Sequence, residues 1–556
     1  MNIKKILSDC ITYKIDGADY ENLIIESISA DKGDYSLPCF SFAKVLHTSP
    51  MEIANKISES VSGDIVDKCE VVGGYVNFFL NKAKFASMLL ENFGSKDLKI
   101  SFGEGKTAIV DYCSPNLAKF LHIGHLKSLI EGESLCRILE QCGYVVKRLN
   151  FIGDYGTPFG KIIGGLIKWG SLDDVQARGN DALQEYYVKF NQAEVEDETL
   201  TQYARDLFKK IEDKDPEIYP MYEFIIDIAM KDAKKMFDIL GVQFDDYRGE
   251  NYYKQFTDDT LKLLNNKNLL SDSQGAKIVD LSEYDMPPAL FIKSDGTTLY
   301  ATRDLSASLG RFKDYRFDKA FYVTGVEQVL HFKQWFKVVD MLGLEYADRL
   351  EHLPYGRFSL PDGKISSRRG RQAVLVDFIE HITNKSTEAI KDRQFSIEKP
   401  EDVVKKVARA VLNYSVLKVE RAKDGIFDVE KAFAFDGETA PYMLYTYTRI
   451  ESVLRKYENS DVEADYSCLN EDAFEVAKLI NNFKNVIELA FNKRDASIVA
   501  KSVMELCKAF NKMYTTCKII DGNDASTKAK INLIKALKET LKVGFNIICI
   551  DPLQEM

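Results

Sequence analysis

Two histidines and a glycine lie together in the segment His122-Ile123-Gly124-His125. The segment follows an apolar run typical of a strand and opens a pattern typical of an amphipathic helix. The N-terminus of a helix attracts anions, because its first N–H groups are unpaired and its dipole is positive there. Imidazoles can donate hydrogen bonds to phosphate oxygens, and glycine lets a ligand approach the backbone. The pattern therefore predicts a nucleoside triphosphate site, with two incidental surface histidines as the alternative.

A second segment, Lys364-Ile365-Ser366-Ser367-Arg368-Arg369-Gly370-Arg371, is a compact cationic loop without an acidic residue. Cations of this kind suit a pyrophosphate leaving group, because its negative charge grows in the transition state. Considered alone, the segment fits a basic loop that faces RNA or solvent equally well.

The elements around the histidines form a β–α–β pattern. A strand is predicted at 108–112, a helix at 125–141 that stops at Gly143, and a strand at 144–151. This pattern is the beginning of a doubly wound parallel sheet. Later elements are also expected: an acidic helical insertion at about 171–235 and strands at 289–292 and 319–323.

The whole chain is predicted to be a multidomain α/β protein. A small N-terminal α+β domain is expected at 1–98, and a Rossmann-like catalytic domain at 99–360. A connecting region with the second segment follows at 361–434, and an all-α domain at 435–556.

Composition excludes several classes of protein. A net charge of −11 argues against a general nucleic-acid coat, although local basic patches remain possible. The ten cysteines contain no Cys-x-x-Cys pair, so neither a zinc site nor a disulfide framework is indicated. No apolar run reaches membrane-spanning length, and a cytoplasmic protein is expected. Four cysteines in apolar helical patterns are expected to be buried thiols: Cys136, Cys142, Cys507 and Cys517.

The two motifs together are more specific than either alone. His-Ile-Gly-His early in a chain and Lys-x-Ser-x-x late resemble the two signatures of class I aminoacyl-tRNA synthetases. The surrounding residues resemble arginyl-tRNA synthetases over nearly the whole chain. The segments that carry this resemblance are Asp111-Tyr112-Cys113-Ser114-Pro115-Asn116-Leu117-Ala118-Lys119, Gly153-Asp154-Tyr155-Gly156-Thr157-Pro158-Phe159-Gly160, Tyr300-Ala301-Thr302-Arg303-Asp304, Gly325-Val326-Glu327-Gln328 and Gly437-Glu438-Thr439-Ala440-Pro441-Tyr442.

The chain also departs from the family pattern. Phe120 stands where the family usually has Pro, and Tyr155 and Pro158 replace Trp and Gln. Asp111 replaces Glu and has a shorter reach. The second signature lacks its last lysine; Lys364 keeps a cation upstream, and Arg368 or Arg369 would substitute.

The resemblance implies that ATP and L-arginine form arginyl-adenylate and pyrophosphate. The arginyl group would then pass to the 2′-hydroxyl of the terminal adenosine of tRNA(Arg). Catalysis would rest on positioning and charge stabilisation, since the carboxylate of arginine is itself the nucleophile. Mg²⁺ would accompany ATP, no structural metal is expected, and the protein would be a monomer.

The resemblance also assigns residues to these roles. Catalytic roles fall to His122, His125, Lys364 and Arg368, and further ATP contacts to Ile123, Gly124, Ser366 and Ser367. Contacts to arginine fall to Asp111, Ser114, Asn116, Tyr300, Asp304 and Gln328. Anticodon bases would meet Tyr442, Tyr445, Tyr447 and Arg449, and the N-terminal domain would approach the elbow of the tRNA.

Each of these roles has a structural alternative. Asp304 could instead form a salt bridge with Arg303, and Ser114 and Asn116 could simply build a turn. Tyr300 and Gln328 could serve packing or surface polarity, and the C-terminal tyrosines could form an apolar packing stripe.

Two alternative functions compete with this one. The first is another class I synthetase: a cysteinyl enzyme would need zinc-binding cysteines, and a glutamyl enzyme would need cations where Asp111 and Asp304 stand. The other rival is an inactive paralogue that binds RNA, against which the presence of both signatures argues.

Overall fold

The computed structural model of the chain describes residues 1–27, 32–294, 296–361, 374–391, 395–434, 437–458 and 461–555. The chain divides into two compact units. The first comprises residues 1–98, 449–483 and 505–541, and the second comprises residues 99–448, 484–504 and 542–556.

The N-terminal part of the first unit is an antiparallel sheet with five helices. Its elements are α1 (Ile3–Cys10), α2 (Tyr20–Leu23), β1 (Ile25–Glu26), β2 (Tyr35–Pro38), α3 (Phe40–Leu46), α4 (Pro50–Glu59), β3 (Val66–Val72), β4 (Tyr75–Leu80) and α5 (Lys82–Leu90). The strands are ordered β1-β2-β4-β3. Gly73 and Gly74 join β3 to β4 with φ angles of 57° and 88°, and a two-residue hairpin turn with two positive φ angles favours glycine.

The second unit begins with the predicted β–α–β pattern. Strand β5 (Thr107–Tyr112) leads through a loop to helix α6 (Ile123–Gln141), and β6 (Val145–Leu149) follows. Strands β5 and β6 pair in parallel. Helix α6 is buried on nearly all sides, because the sheet covers one of its faces and later helices cover others.

A helical insertion follows β6, and a small sheet follows the insertion. The helices are α7 (Thr157–Trp169), α8 (Leu172–Arg178), α9 (Asn180–Glu196), α10 (Thr199–Glu212), α11 (Ile218–Leu240), α12 (Glu250–Tyr253) and α13 (Thr257–Asn266). Strands β7 (Leu270–Ser273), β8 (Ala276–Val279) and β9 (Ala289–Ile292) then form a separate antiparallel sheet. The strand expected at 289–292 therefore exists, and it pairs outside the parallel sheet.

Two further strands complete the parallel sheet. Helix α14 (Tyr300–Tyr315) precedes β10 (Lys319–Gly325), and helix α15 (Val329–Met341) precedes β11 (Leu350–Tyr355). The strand order is β11-β10-β5-β6, and every neighbouring pair is parallel. The carboxyl ends of β5 and β10 therefore meet at one edge of the sheet, which is where ligands bind in open α/β folds.

The described residues that follow β11 are mostly helical, and those beyond 435 have the all-α character predicted for them. Its elements are β12 (Phe358–Ser359), α16 (Leu375–Ile390), α17 (Pro400–Leu417), β13 (Gly425–Ile426), α18 (Val429–Ala432), α19 (Ala440–Lys456), α20 (Glu471–Lys493), α21 (Ser497–Thr516) and α22 (Asp524–Ile547). The multidomain α/β fold class predicted from the sequence is confirmed.

The last residue of α22 and the segment that follows it pack inside the second unit. The Ser134 hydroxyl of α6 donates to the Ile547 carbonyl oxygen at 2.6 Å, and Asn413 of α17 donates to the Cys549 carbonyl oxygen at 2.6 Å. Arg409 of α17 forms an ion pair with Asp551. These bonds hold residues 547–551 against two central helices of the unit.

No helix among the described residues combines the length and apolarity needed to span a membrane. The four cysteines expected to be buried thiols are buried: Cys136, Cys142, Cys507 and Cys517.

Candidate active site

The two histidines form the cap of helix α6. His122 is the N-cap residue, with extended backbone angles, and its Nδ1 accepts a hydrogen bond from the Gly124 N–H at 3.1 Å. His125 reaches back, and its Nδ1 accepts from the His122 N–H at 3.1 Å. A Cβ on Gly124 would lie 2.8 Å from Cε1 of the His122 ring, which explains the glycine between them. The two side chains of the motif thus accept backbone N–H groups that the start of a helix would otherwise leave unpaired.

This capping geometry favours one tautomer of each imidazole ring. Each Nδ1 lies 3.1 Å from a backbone N–H and accepts it when the proton of a neutral ring resides on Nε2; the contact from the His125 Nδ1 to the His122 carbonyl oxygen is longer, at 3.3 Å. Burial lowers the pKa of His122, and burial together with the neighbouring His122 lowers the pKa of His125 to about 4. Neither Nε2 has a hydrogen-bond partner within the described part of the chain. Both rings can therefore donate an Nε2–H to an anion at the helix N-terminus.

Asp111 is the next-to-last residue of β5, and both of its carboxylate oxygens contact side chains of the protein itself. Its Oδ2 lies 2.8 Å from the guanidinium of Arg311 on α14, and its Oδ1 accepts from the Ser114 hydroxyl at 3.2 Å. Burial raises the pKa of Asp111, while Arg311 opposes that rise. The carboxylate predicted to contact a substrate guanidinium thus contacts an arginine of the chain in this structure.

Asp304 lies on α14, close enough to Asp111 for its charge to raise the pKa of that carboxyl. Its Oδ2 lies 2.5 Å from Nε2 of His331, in the first turn of α15. Its Oδ1 has no partner among the described residues. Arg303, the alternative partner for Asp304, contacts a different carboxylate.

That carboxylate belongs to Glu250, which begins α12. Its Oε2 lies 2.6 Å from the Arg303 guanidinium, and burial raises the pKa of Glu250 to about 7. The charge of Asp304 contributes to that rise. Three carboxylates from β5, α12 and α14 therefore lie near one another, and because Asp111 and Glu250 are paired with arginines, Asp304 is the one suited to an added cation.

Sequence reasoning missed three participants in this region: Arg311, Glu250 and His331. His331 stands three residues after Gln328, just beyond the segment 325–328 already singled out, so its position was an available signal. Arg311 and Glu250 offer no such signal, because their partners lie 200 and 53 residues away in sequence.

The loop between β5 and α6 is tightly folded around Ser114 and Asn116. Cys113 and Ser114 have φ angles of 73° and 41°, an uncommon conformation that clusters at functional sites. The Asn116 side chain accepts from the Ala118 N–H at 3.0 Å, which is the turn-building alternative. Gly153 donates its N–H to the Pro115 carbonyl oxygen at 2.8 Å and so brings the 153–160 segment to this loop.

Tyr300 and Gln328 lie at the starts of helices. Tyr300 is the first residue of α14, one turn before Asp304, and it is 66% exposed. Gln328 is the exposed N-cap residue of α15 and makes no side-chain cap bond. Tyr300 therefore shares a helix face with Asp304, while Gln328 stands three residues before His331.

The second signature lies outside the described residues, including Lys364, Ser366, Ser367 and Arg368. Its flank is described: the Leu375 N–H donates to the Leu121 carbonyl oxygen at 2.8 Å, directly beside His122. Within the described ranges, no group of three or more His, Cys, Asp or Glu side chains is arranged to hold a metal ion.

Phe120, one of the departures from the family pattern, lines a cavity of about 460 Å³ beside the histidine loop. Leu121, Met236 and Val374 contribute to its apolar wall. Another departure, the Tyr155 hydroxyl, donates to Glu212 of α10.

The aromatic residues of α19 differ in exposure. Tyr447 is 2% exposed and its ring lies 5.6 Å from that of Phe545, as the packing alternative requires. Tyr445 is 39% exposed, and Tyr442 is half-buried. The Arg449 guanidinium donates to Asn511 at 2.7 Å and lies 4.8 Å from the Tyr514 ring.

Comparison with known families gives three matches that follow one another along the chain. The family model described as arginyl tRNA synthetase N terminal domain matches residues 1–80. The model described as tRNA synthetases class I (R), catalytic domain, matches residues 87–429. The model described as DALR anticodon binding domain matches residues 443–556.

Individual relatives agree with these matches. The arginine–tRNA ligase of Halothermothrix orenii is 38% identical, with 100% of both chains covered, and that of Clostridioides difficile is 38% identical over 98% of both. Among solved structures, the Thermus thermophilus arginyl-tRNA synthetase shares the fold, with a TM-score of 0.81, 20% identity and 96% of each chain covered. The Plasmodium falciparum arginyl-tRNA synthetase has a TM-score of 0.79 at 20% identity, covering 100% of this chain and 98% of that one.

Proposed function

The chain belongs to the arginyl-tRNA synthetase family, and on that premise we propose that it ligates L-arginine to tRNA(Arg) at the expense of ATP. Arginine is first activated as arginyl-adenylate with release of pyrophosphate. The arginyl group is then transferred to the 2′-hydroxyl of the terminal adenosine, and the product serves protein biosynthesis.

The observation that carries this proposal is the arrangement at one edge of the parallel sheet. Asp111 is the next-to-last residue of β5, and the loop that follows leads to His122 and His125 at the N-terminus of α6. Asp304 of α14 lies close enough to Asp111 for its charge to raise the pKa of that carboxyl. A carboxylate that suits a guanidinium therefore lies near the same end of β5 as the loop that leads to donors suited to a triphosphate.

The two imidazoles act on the phosphates of ATP. Their Nε2–H groups donate to the phosphate oxygens as the carboxylate of arginine attacks the α-phosphorus, and Gly124 leaves room for the adenine. Because the low pKa of His125 keeps its ring neutral, it supplies a fixed donor without an exchange of protons. Lys364 and Arg368 stabilise the departing pyrophosphate, while Ile123, Ser366 and Ser367 complete the ATP contacts.

The carboxylates act on arginine. Asp304 contacts the guanidinium, with Tyr300 and Gln328 completing the pocket. Ser114 and Asn116 hold the ammonium and carboxylate ends. Asp111 takes part through Ser114, since its carboxylate accepts the Ser114 hydroxyl.

The remaining partners follow from the reaction. Mg²⁺ would accompany ATP as part of the substrate complex, where it would offset the negative charge of the phosphates. The enzyme acts as a monomer in the cytoplasm. The N-terminal domain contacts the tRNA elbow, and Tyr442, Tyr445 and Arg449 contribute to anticodon binding through stacking and charge.

A charging assay tests the proposal most directly. Purified protein is incubated with ATP, tRNA and each of the twenty amino acids, and acid-stable aminoacyl-tRNA is measured. Charging of tRNA(Arg) with arginine alone is expected. Charging with cysteine or glutamate would place the chain in another branch of class I, and tRNA binding without any charging would identify an inactive RNA-binding paralogue.

A further inference from the structure

The three neighbouring carboxylates, Asp111, Glu250 and Asp304, differ in the hydrogen-bond and ion-pair partners that the chain gives them. Both oxygens of Asp111 have partners, Ser114 and Arg311, and Glu250 is paired with Arg303. Asp304 is paired only with an imidazole, within the described part of the chain. Its side chain is 22% exposed, so little water is present to compensate its charge.

The partner of Asp304 is held in a fixed place. His331 lies in the first turn of α15, and the next residue, Phe332, stacks on the ring of His352 at 4.1 Å with the planes 9° apart. His352 is in turn hydrogen-bonded to Thr324 at 2.8 Å. The helix turn that carries His331 is thus anchored to β10 and β11, and the imidazole can fix the orientation of the carboxylate it contacts.

We propose that His331 is a positioning residue for arginine: its Nε2–H holds Oδ2 of Asp304, so that Oδ1 and the full negative charge face the substrate guanidinium. The inference rests on the proposed function and deepens it by adding a residue that sets amino-acid specificity. Arginine balances the charge of Asp304. Citrulline, a neutral isostere, leaves that charge uncompensated and is rejected.

The test compares two substitutions in the full-length enzyme. His331→Ala removes the hydrogen bond, whereas His331→Gln places an amide N–H near the position of Nε2. We expect His331→Ala to raise the arginine KM about tenfold, the size of one lost hydrogen bond to a charged group, with the ATP KM nearly unchanged. We expect His331→Gln to recover most of that loss. Competition by citrulline should strengthen in His331→Ala and stay weak in His331→Gln.

A matched control lies on the same helix. Lys337 forms an ion pair with Asp340 at 2.6 Å, two turns away from the site, and Lys337→Gln should alter neither KM. Thermal unfolding of all variants is measured alongside. The inference is overturned if His331→Ala leaves the arginine KM unchanged, raises both KM values equally, or is matched by a folded His331→Gln. If the unsubstituted enzyme charges no arginine at all, it is the proposed function that fails.

Discussion

The two sides of the candidate site are built in different ways. On the nucleotide side, the imidazoles of His122 and His125 are oriented by hydrogen bonds within the four-residue motif itself. On the arginine side, carboxylates from β5, α12 and α14 are oriented by side chains from other elements. A site whose side chains are oriented by neighbouring residues keeps its geometry when other parts of the fold change. A site built from distant elements keeps its geometry only if all of those elements stay packed together.

The first prediction concerns the buried pair of Asp111 and Arg311, and it should show the largest effect. Arg311 is 2% exposed, so Arg311→Met leaves Asp111 buried without a counter-charge. We expect a loss of about 3–5 kcal/mol of stability, measured by urea unfolding. Arg316→Met is the control, since the ion pair of Arg316 with Glu345 is long, at 3.6 Å, and exposed. Equal destabilisation by both substitutions would show that the arginine side does not depend on distant pairing.

The second prediction separates the two functions of an imidazole on the nucleotide side. His122→Ala and His125→Ala should each cost about 2–4 kcal/mol of transition-state stabilisation in single-turnover adenylate formation. His125→Gln keeps a donor near Nε2, whereas His125→Asn keeps an acceptor near Nδ1 that caps the helix. The Gln variant should therefore be the faster of the two. A faster Asn variant would mean that capping, and not donation to phosphate, is what the motif provides.

The third prediction compares the carboxylates. Asp304→Asn removes charge but keeps size, and it should raise the arginine KM by roughly 10–100-fold with little change in the ATP KM. Asp111→Asn leaves Arg311 unpaired, so it should mainly lower the midpoint of thermal unfolding. Steady-state kinetics and thermal unfolding of both variants provide the measurement, and an equal rise of both KM values in Asp304→Asn would indicate a purely structural salt bridge.

The fourth prediction is that the protonation state of His125 hardly changes with pH over the range in which a free histidine titrates. Burial lowers the pKa of His125 to about 4, below the usual value of 6.5, so its ring should stay neutral between pH 8 and pH 5. The unfolded chain takes up this proton at a higher pH than the folded protein, so the contribution of His125 to stability falls as the pH drops from about 6.5 toward 4. Long-range ¹H–¹⁵N NMR should show an Nε2–H tautomer throughout. A titration near pH 6.5 would contradict the locally buried arrangement.

The same contrast explains what could be predicted from the sequence. The histidine motif, the helix after it and the parallel strands are encoded by neighbouring residues, and the structure has helix α6 at Ile123–Gln141, close to the predicted 125–141. The sheet edge that gathers the site follows from the β–α–β pattern. These features depend on local propensity and periodicity.

The ion pairs around the carboxylates on the arginine side could not be predicted from local sequence patterns. Arg303 stands next to Asp304 in sequence, and the sequence offered it as the partner of Asp304. In a helix, however, adjacent residues point in different directions, and Arg303 reaches Glu250 on α12 instead. Asp111 and Arg311 are brought together only by the pairing of β5 with β10, which sequence spacing does not specify.

The bonds from α6 and α17 to residues 547–551 bear on how the protein is made. A nascent chain leaves the ribosome from its N-terminus, and domains generally fold as they emerge. The unit that carries the candidate site includes residues 542–556, which are translated after more than five hundred others. The Ser134 hydroxyl and the Asn413 amide therefore lack these native partners until residues 547–551 have been synthesised. Activity should consequently appear only after that stretch has left the ribosome, however early the histidine motif itself has been synthesised.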